Sequence, residues 1–249
     1  IANRLSTLNN MTRRKLPKLE TKIKVLEEQN NIVYDKSQKE AITKALNNNL
    51  TIITGGPGTG KTTIIKSIIS VMEKKGLKVI LAAPTGRAAK RMAEVCEKSA
   101  QTIHRLLEVS FMSKGDNQFV KNESNPIYAN MIIIDEMSMV DANLFYHLLK
   151  AVRSTTRVIM VGDKDQLPSV GAGNVLADLI ASGEVVVKEL SRIYRQSEDS
   201  MIVENAHLIN KQEMPDLSKK SSDFFYSPHS EPDMVLKDIV DMVSERIPK

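Results

Sequence analysis

Apolar residues along this chain gather in short runs, and the stretches between them carry hydrophobic positions at helical spacing. The runs are Leu50-Thr51-Ile52-Ile53-Thr54, Lys78-Val79-Ile80-Leu81-Ala82, Met131-Ile132-Ile133-Ile134, Arg157-Val158-Ile159-Met160-Val161, and Val185-Val186-Val187 with Leu190. Their length and branched side chains predict buried strands. Residues 62–75 repeat Ile64, Ile65, Ile68, Ile69 and Met72 on one helical face. Helices are also predicted at 36–47, 87–99, 101–108, 144–152 and 174–182. This alternation predicts an α/β fold, a parallel sheet covered by helices on both faces. Ligands in such sheets lie beyond the carboxyl ends of the strands.

The flanks read differently. Residues 1–30 predict one or two short polar helices, a lead-in to a main domain over 31–215. Residues 110–128 suggest a small β-hairpin insertion. Past the main domain, 216–249 read as the start of a further, incomplete unit, with a strand opening at Phe224-Phe225-Tyr226 and a helix over 233–245. A first residue that is not Met, and a last one just past a helical pattern, suggest that both ends are cuts in a longer protein.

Polar chemistry falls just after the strands. Gly55, Gly56, Pro57, Gly58, Thr59, Gly60, Lys61, Thr62 and Thr63 fit the pattern G-x-x-x-x-G-K-[ST]. Glycines let backbone N–H groups turn toward phosphate oxygens with no Cβ in the way. Lys61 can reach the β- and γ-phosphates, and the Thr62 hydroxyl can sit on Mg²⁺. The following helix adds its N-terminal partial charge. After the third long run come Asp135 and Glu136. An acid at a buried strand end is costly unless a cation faces it. Mg²⁺ held by Asp135 and Thr62 supplies one, which leaves Glu136 to orient and deprotonate water. After the fourth run, Gly162-Asp163-Lys164-Asp165-Gln166-Leu167-Pro168 puts Gln166 where it could contact a γ-phosphate. A P-loop kinase and a non-catalytic nucleotide-dependent module remain as rivals; the acid pair argues for hydrolysis.

Charge and composition narrow the setting. The chain has 249 residues and a net charge of +5, which permits nucleic-acid binding without requiring it. Aromatic residues are 4% with no Trp, so any base-stacking platform uses few rings. The single Cys96 excludes a disulfide within the chain and suits a reducing cytoplasm. No apolar run approaches the roughly 20 residues that span a bilayer, and the basic first thirty residues do not read as a signal peptide. No His and Cys spacing suggests a zinc site.

Taken together the motifs resemble a RecD-like superfamily-1 DNA helicase motor, the type also called the exodeoxyribonuclease V alpha subunit. The resemblance covers about residues 34–215. It implies a RecA-like P-loop NTPase fold, ATP and Mg²⁺ as cofactors, and single-stranded DNA as partner. It also implies 5′-to-3′ translocation in DNA repair or recombination, with other repair proteins alongside. Tyr34-Asp35-Lys36-Ser37-Gln38 resembles the adenine-reading motif, with Gln38 as base contact. Ala83-Pro84-Thr85-Gly86-Arg87-Ala88-Ala89 resembles a DNA-touching motif, which brings in Thr85 and Arg87, with Lys90 and Arg91 on the same helix. Thr102-Ile103-His104 is typical of the family just after it; His104 is either a DNA contact or structural. Leu190-Ser191-Arg192-Ile193-Tyr194-Arg195-Gln196 resembles the motif whose arginine meets the γ-phosphate, here Arg195. The family's second RecA-like half and its further arginine have no counterpart before Lys249. By itself, then, the chain is expected to bind Mg-ATP weakly and hydrolyse it slowly, without unwinding.

Overall fold

The computed structural model describes residues 1–11, 16–17, 19–111, 117–192, 200–219, 221 and 223–246. Arg195 therefore lies outside the described residues. Internal contacts divide the chain into two units, Ile1–Tyr194 and Arg195–Lys249.

The first unit runs α1 (Ala2–Asn9), α2 (Leu19–Asn30), α3 (Lys36–Asn47), β1 (Leu50–Thr54), α4 (Lys61–Glu73), β2 (Val79–Ala83) and α5 (Gly86–Cys96). It continues with β3 (Ala100–Thr102), α6 (Ile103–Leu106), β4 (Val109–Phe111), β5 (Asn117–Phe119), β6 (Met131–Ile134), α7 (Ala142–Ala151), β7 (Arg157–Gly162), α8 (Val175–Ser182) and β8 (Val186–Glu189). Six of these strands form one sheet in the order β3-β2-β6-β7-β1-β8, and every pairing in it is parallel. The fold is α/β, as its hydrophobic pattern predicts.

Side chains alternate across the sheet, as a period of two requires. Leu50, Ile52, Ile132, Ile134, Val158 and Met160 enter one core, with Leu8 of α1 and residues of α6, α7 and α8. Ile53, Met131, Ile133, Ile159 and Val161 enter the other, with residues of α2, α3 and α4. A sheet buried on both faces accounts for the near-continuous apolar runs of β1, β6 and β7.

Caps decide where the helices begin. Asp35 accepts from the Gln38 N–H at 2.8 Å while Gln38 Oε1 accepts from the Asp35 N–H at 3.2 Å, a reciprocal capping box. Thr85 and Asp141 cap α5 and α7 through Ala88 N and Leu144 N.

Two elements differ from the sequence expectation. Residues 101–108 are not one helix: Ala100–Thr102 adds an edge strand to β2, and helix resumes at Ile103. Thr102 serves both, ending the strand and capping α6 by accepting from Arg105 N at 3.1 Å. Phe224-Phe225-Tyr226 is not a strand. The Ser221 hydroxyl accepts from Phe224 N at 3.1 Å and Ser221 N donates to Phe224 O, a local turn that uses the groups a ladder would need. β4 and β5 pair antiparallel, Val109 opposite Phe119.

The second unit holds α9 (Met201–Asn210) and α10 (Pro232–Asp241). The buried Asn205 of α9 clamps residue 216 from both sides, accepting from Asp216 N at 2.7 Å and donating to Asp216 O at 3.2 Å.

Phe145 is fully buried in the core beneath α7. Phe145→Ala is expected to destabilise the fold by about 3–5 kcal/mol, the cost of lost burial plus an unfilled cavity. Urea unfolding monitored by circular dichroism measures it; a loss below about 1 kcal/mol would mean the helix is not anchored there.

Candidate active site

The parallel register lines up three strand ends. Thr54 of β1 stands opposite Gly162 of β7, and Ile134 of β6 opposite Met160. The loops that leave these strands therefore share one rim, and they carry the glycine motif, the Asp135-Glu136 pair and Asp163.

The glycine loop joins β1 to α4. Gly60 caps the helix with φ 81°, a left-handed conformation that favours glycine. At Gly55 the constraint is space: a Cβ there would lie 2.6 Å from Leu190 O and 2.9 Å from Thr59 Oγ1. The buried Thr59 donates its hydroxyl to Gly56 O at 2.9 Å, closing the loop on itself. Lys61 folds back over the loop, donating to Gly55 O and, at 2.8 Å, to Gly56 O. Those carbonyls hold the ammonium over the loop's own backbone, and burial lowers its pKa against the attraction of Asp163, Asp135 and Glu136.

The acids respond to the same environment. Burial raises the pKa of Asp135, offset in part by the Glu136 N–H it accepts at 2.9 Å and by Lys61 and Arg91. Burial also raises Glu136, and the neighbouring Asp135 charge adds to it. Glu136 sits at φ 52°, ψ 45°, a left-handed conformation that is strained for a side chain of its size and ends β6 abruptly. The turn that follows, Met137–Met139, packs against Gly162, where a Cβ would come within 3.2 Å of Met137 N.

Other predicted residues fall around this rim. The exposed Gln166 accepts from Ser138 Oγ at 3.2 Å, which ties the loop after β7 to the turn after β6. Gln38 is buried, with its oxygen engaged in the capping box. The segment before it is fastened to the phosphate helix: the Tyr34 hydroxyl meets Ser67 Oγ, and Ser67 donates to Thr63 O at 2.9 Å.

Thr85 caps α5, and Arg87, Lys90 and Arg91 are exposed along it. Lys90 reaches Glu94 at 3.9 Å. Arg91 acts electrostatically on Lys61, Asp135 and Glu136, which joins it to the acid rim. His104 is exposed on α6, with its ring centroid 6.1 Å from that of Phe119.

Asp163 is a rim residue that the motif reading did not single out. It is 4% exposed, and its charge acts on Lys61. Its signal in the sequence is positional: it is the first acid after the β7 run, as Asp135 is after β6. Among the described residues no group of His, Cys, Asp and Glu forms a self-contained metal cluster. No helix among the described residues is long and apolar enough to cross a membrane.

Comparison with known proteins agrees with this arrangement. A family model described as an AAA domain matches residues 38–172, more than half of the chain. The ATP-dependent RecD2 DNA helicase of Deinococcus radiodurans is 39% identical over 178 residues, covering 72% of this chain and 24% of that protein. The RecBCD enzyme subunit RecD of Mycolicibacterium smegmatis is 37% identical over 185 residues, covering 65% of this chain and 33% of the subunit. The chain thus spans between about a quarter and a third of these relatives' length. Among solved structures, the Pif1 helicase of Candida albicans has the same fold at a TM-score of 0.55 and 22% identity, covering 85% of this chain and 55% of its own. By the family-model match the chain belongs to the AAA-domain family, and its sequence relatives are RecD-like helicases.

Proposed function

We propose that this chain is the nucleotide-hydrolysing motor of an ATP-dependent DNA helicase. The observation that carries the reading is the convergence of Lys61, Asp135 and Glu136 at one desolvated rim beside the glycine loop. A triphosphate entering that loop would displace Lys61 from the carbonyls of Gly55 and Gly56 and take its ammonium onto phosphate oxygens. The backbone N–H groups of Gly56 and of residues 58–63, with the N-terminus of α4, would complete the cradle.

The residues present fit Mg²⁺. Asp135 is a half-buried, desolvated carboxylate that, among the described residues, has no ion pair within 4 Å, so a divalent ion would offset its desolvation. Thr62 and Asp135 would hold the ion, and when bound it supplies charge neutralisation to the phosphates. Glu136, its pKa raised by burial and by the Asp135 charge, suits a general base that takes a proton from attacking water. Gln166, anchored by Ser138, would report the γ-phosphate to the turn after β6. Gln38 would read adenine, and Arg195 would stabilise charge developing on the γ-phosphate.

Single-stranded DNA is the proposed partner, crossing the N-terminal face of α5. Arg87 and Lys90 would meet its phosphates, and the Thr85 hydroxyl retains a proton to donate. His104 would lie beside them. The electrostatic reach of Arg91 to Asp135 and Glu136 favours a nucleotide-side role for that residue over a DNA contact. Translocation 5′-to-3′, a role in repair or recombination beside other repair proteins, and the cytoplasm complete the reading. DNA-stimulated phosphate release tests it: transfer of the phosphoryl group to an acceptor would favour the kinase, and binding without turnover a regulatory module.

Lys61→Ala is expected to weaken binding of a fluorescent ATP analogue by at least about tenfold, the loss of a charge-assisted contact. Unchanged binding would remove the phosphate loop from the site. Glu136→Gln should keep that binding and slow phosphate release by about 10²-fold or more; wild-type turnover would assign the base elsewhere.

Asp135 gives a pH signature. Its folded pKa lies above the unfolded value, so in the absence of ligand it favours the fold at low pH. That contribution is lost as pH rises from the ordinary carboxylate range through the raised value. Asp135→Asn should remove this slope and raise the ligand-free thermal midpoint at neutral pH by about 3 °C, the scale of ~1 kcal/mol in a chain of this length. A lower midpoint would mean that the carboxylate is stabilising as it stands.

A further inference from the structure

A second group of cations lies at the end of the sheet opposite the glycine loop. Arg157 is the first residue of β7, and its N–H donates to Asn130 O at 3.0 Å. By strand parity its side chain shares a face with Ile159 and Val161, the face covered by α2 and α4. Arg157 is 8% exposed, and its Nε is buried with no hydrogen-bond acceptor among the described residues. A guanidinium does not shed its proton to escape burial, so the desolvation cost stays with the charge.

The neighbours make this worse. Lys22 of α2 and Lys75 just past α4 lie near enough for Lys22 to bear on Lys75, and Arg157 adds its own charge to Lys75. Burial and both cations lower the pKa of Lys75. Among the described residues no carboxylate forms an ion pair with Lys22, Lys75 or Arg157. Lys75 is exposed and Lys22 half-buried, so the group opens to solvent on the lysine side.

We propose that Arg157, Lys75 and Lys22 form an anion site at the base of the sheet that takes a phosphate group. The planar fork of the arginine would bind two oxygens at the buried end, and the lysines would close over the others as point charges. The same chemistry is presented by inorganic phosphate and by the phosphodiester of a nucleic-acid backbone. Neither involves the glycine loop, which sits at the other end of β7.

The test uses Lys61→Ala protein, in which the glycine loop's hold on phosphate is weakened. Titration with inorganic phosphate, followed by ³¹P NMR and by thermal melting, should reveal a site and a rising midpoint. Adding Arg157→Met or Lys75→Met should weaken that site by at least about tenfold, the loss of one charge-assisted contact. Without phosphate, Arg157→Met should melt higher than its parent, because an unpaired buried charge is gone. Lys75→Met changes an exposed residue and keeps the test valid if Arg157→Met does not fold. Displacement of phosphate by a short oligo-dT identifies the nucleic-acid backbone as the source; its failure to compete identifies free phosphate. Phosphate binding that both added substitutions leave unchanged, or no binding in the Lys61→Ala protein, overturns the proposal.

Discussion

The parallel register that sets β6, β7 and β1 side by side is the constraint on which the rest of the molecule depends. These strands are fully buried. A slip of one residue would exchange the two cores and drive Thr54, Asp135 and Asp163 off a common rim. Apolar side chains on both faces make that slip costly, so the hydrophobic sheet serves the polar chemistry by fixing where it appears. Lys164 N donating to Thr54 Oγ1 at 3.1 Å extends the alignment one step past the strands, into the loop after β7.

At that rim, opposite charges are held in partial desolvation without closing on one another. Lys61 rests on the carbonyls of its own loop, while Asp135 is steadied by the Glu136 N–H. Buried ions cost energy that close pairing would repay, and here the pairing is incomplete. Such a site is set to gain from a ligand that brings both anionic oxygens and a cation. Strain points the same way: Glu136 occupies left-handed backbone at the point where β6 gives way to the turn.

Much of this was legible in the sequence because it depends on local rules. Strand runs, the glycine pattern and the acid pair each announce themselves within a few positions. What escaped depended on residues far apart in the chain. Ala100–Thr102 is too short and too plain to read as a strand, and it becomes one only because the edge of β2 is open to it. The charge of Arg91 bears on acids separated from it by two strands and a hairpin in sequence. Arg157 looked like the polar end of an apolar run, and only the packing of α2 and α4 buries it.

The residue just past β8 has a further consequence. Leu190 N donates to Thr54 O at 2.8 Å, and Leu190 O stands where a Cβ on Gly55 would be. The backbone leaving the edge strand is thus braced against the first peptide of the phosphate loop, with no side chain between them to absorb a displacement. Lys188 of the same strand is tied to Glu40 of α3, so the brace is held from its other side as well. In mechanical terms the contact is a stiff strut between the edge strand and the loop, made backbone to backbone.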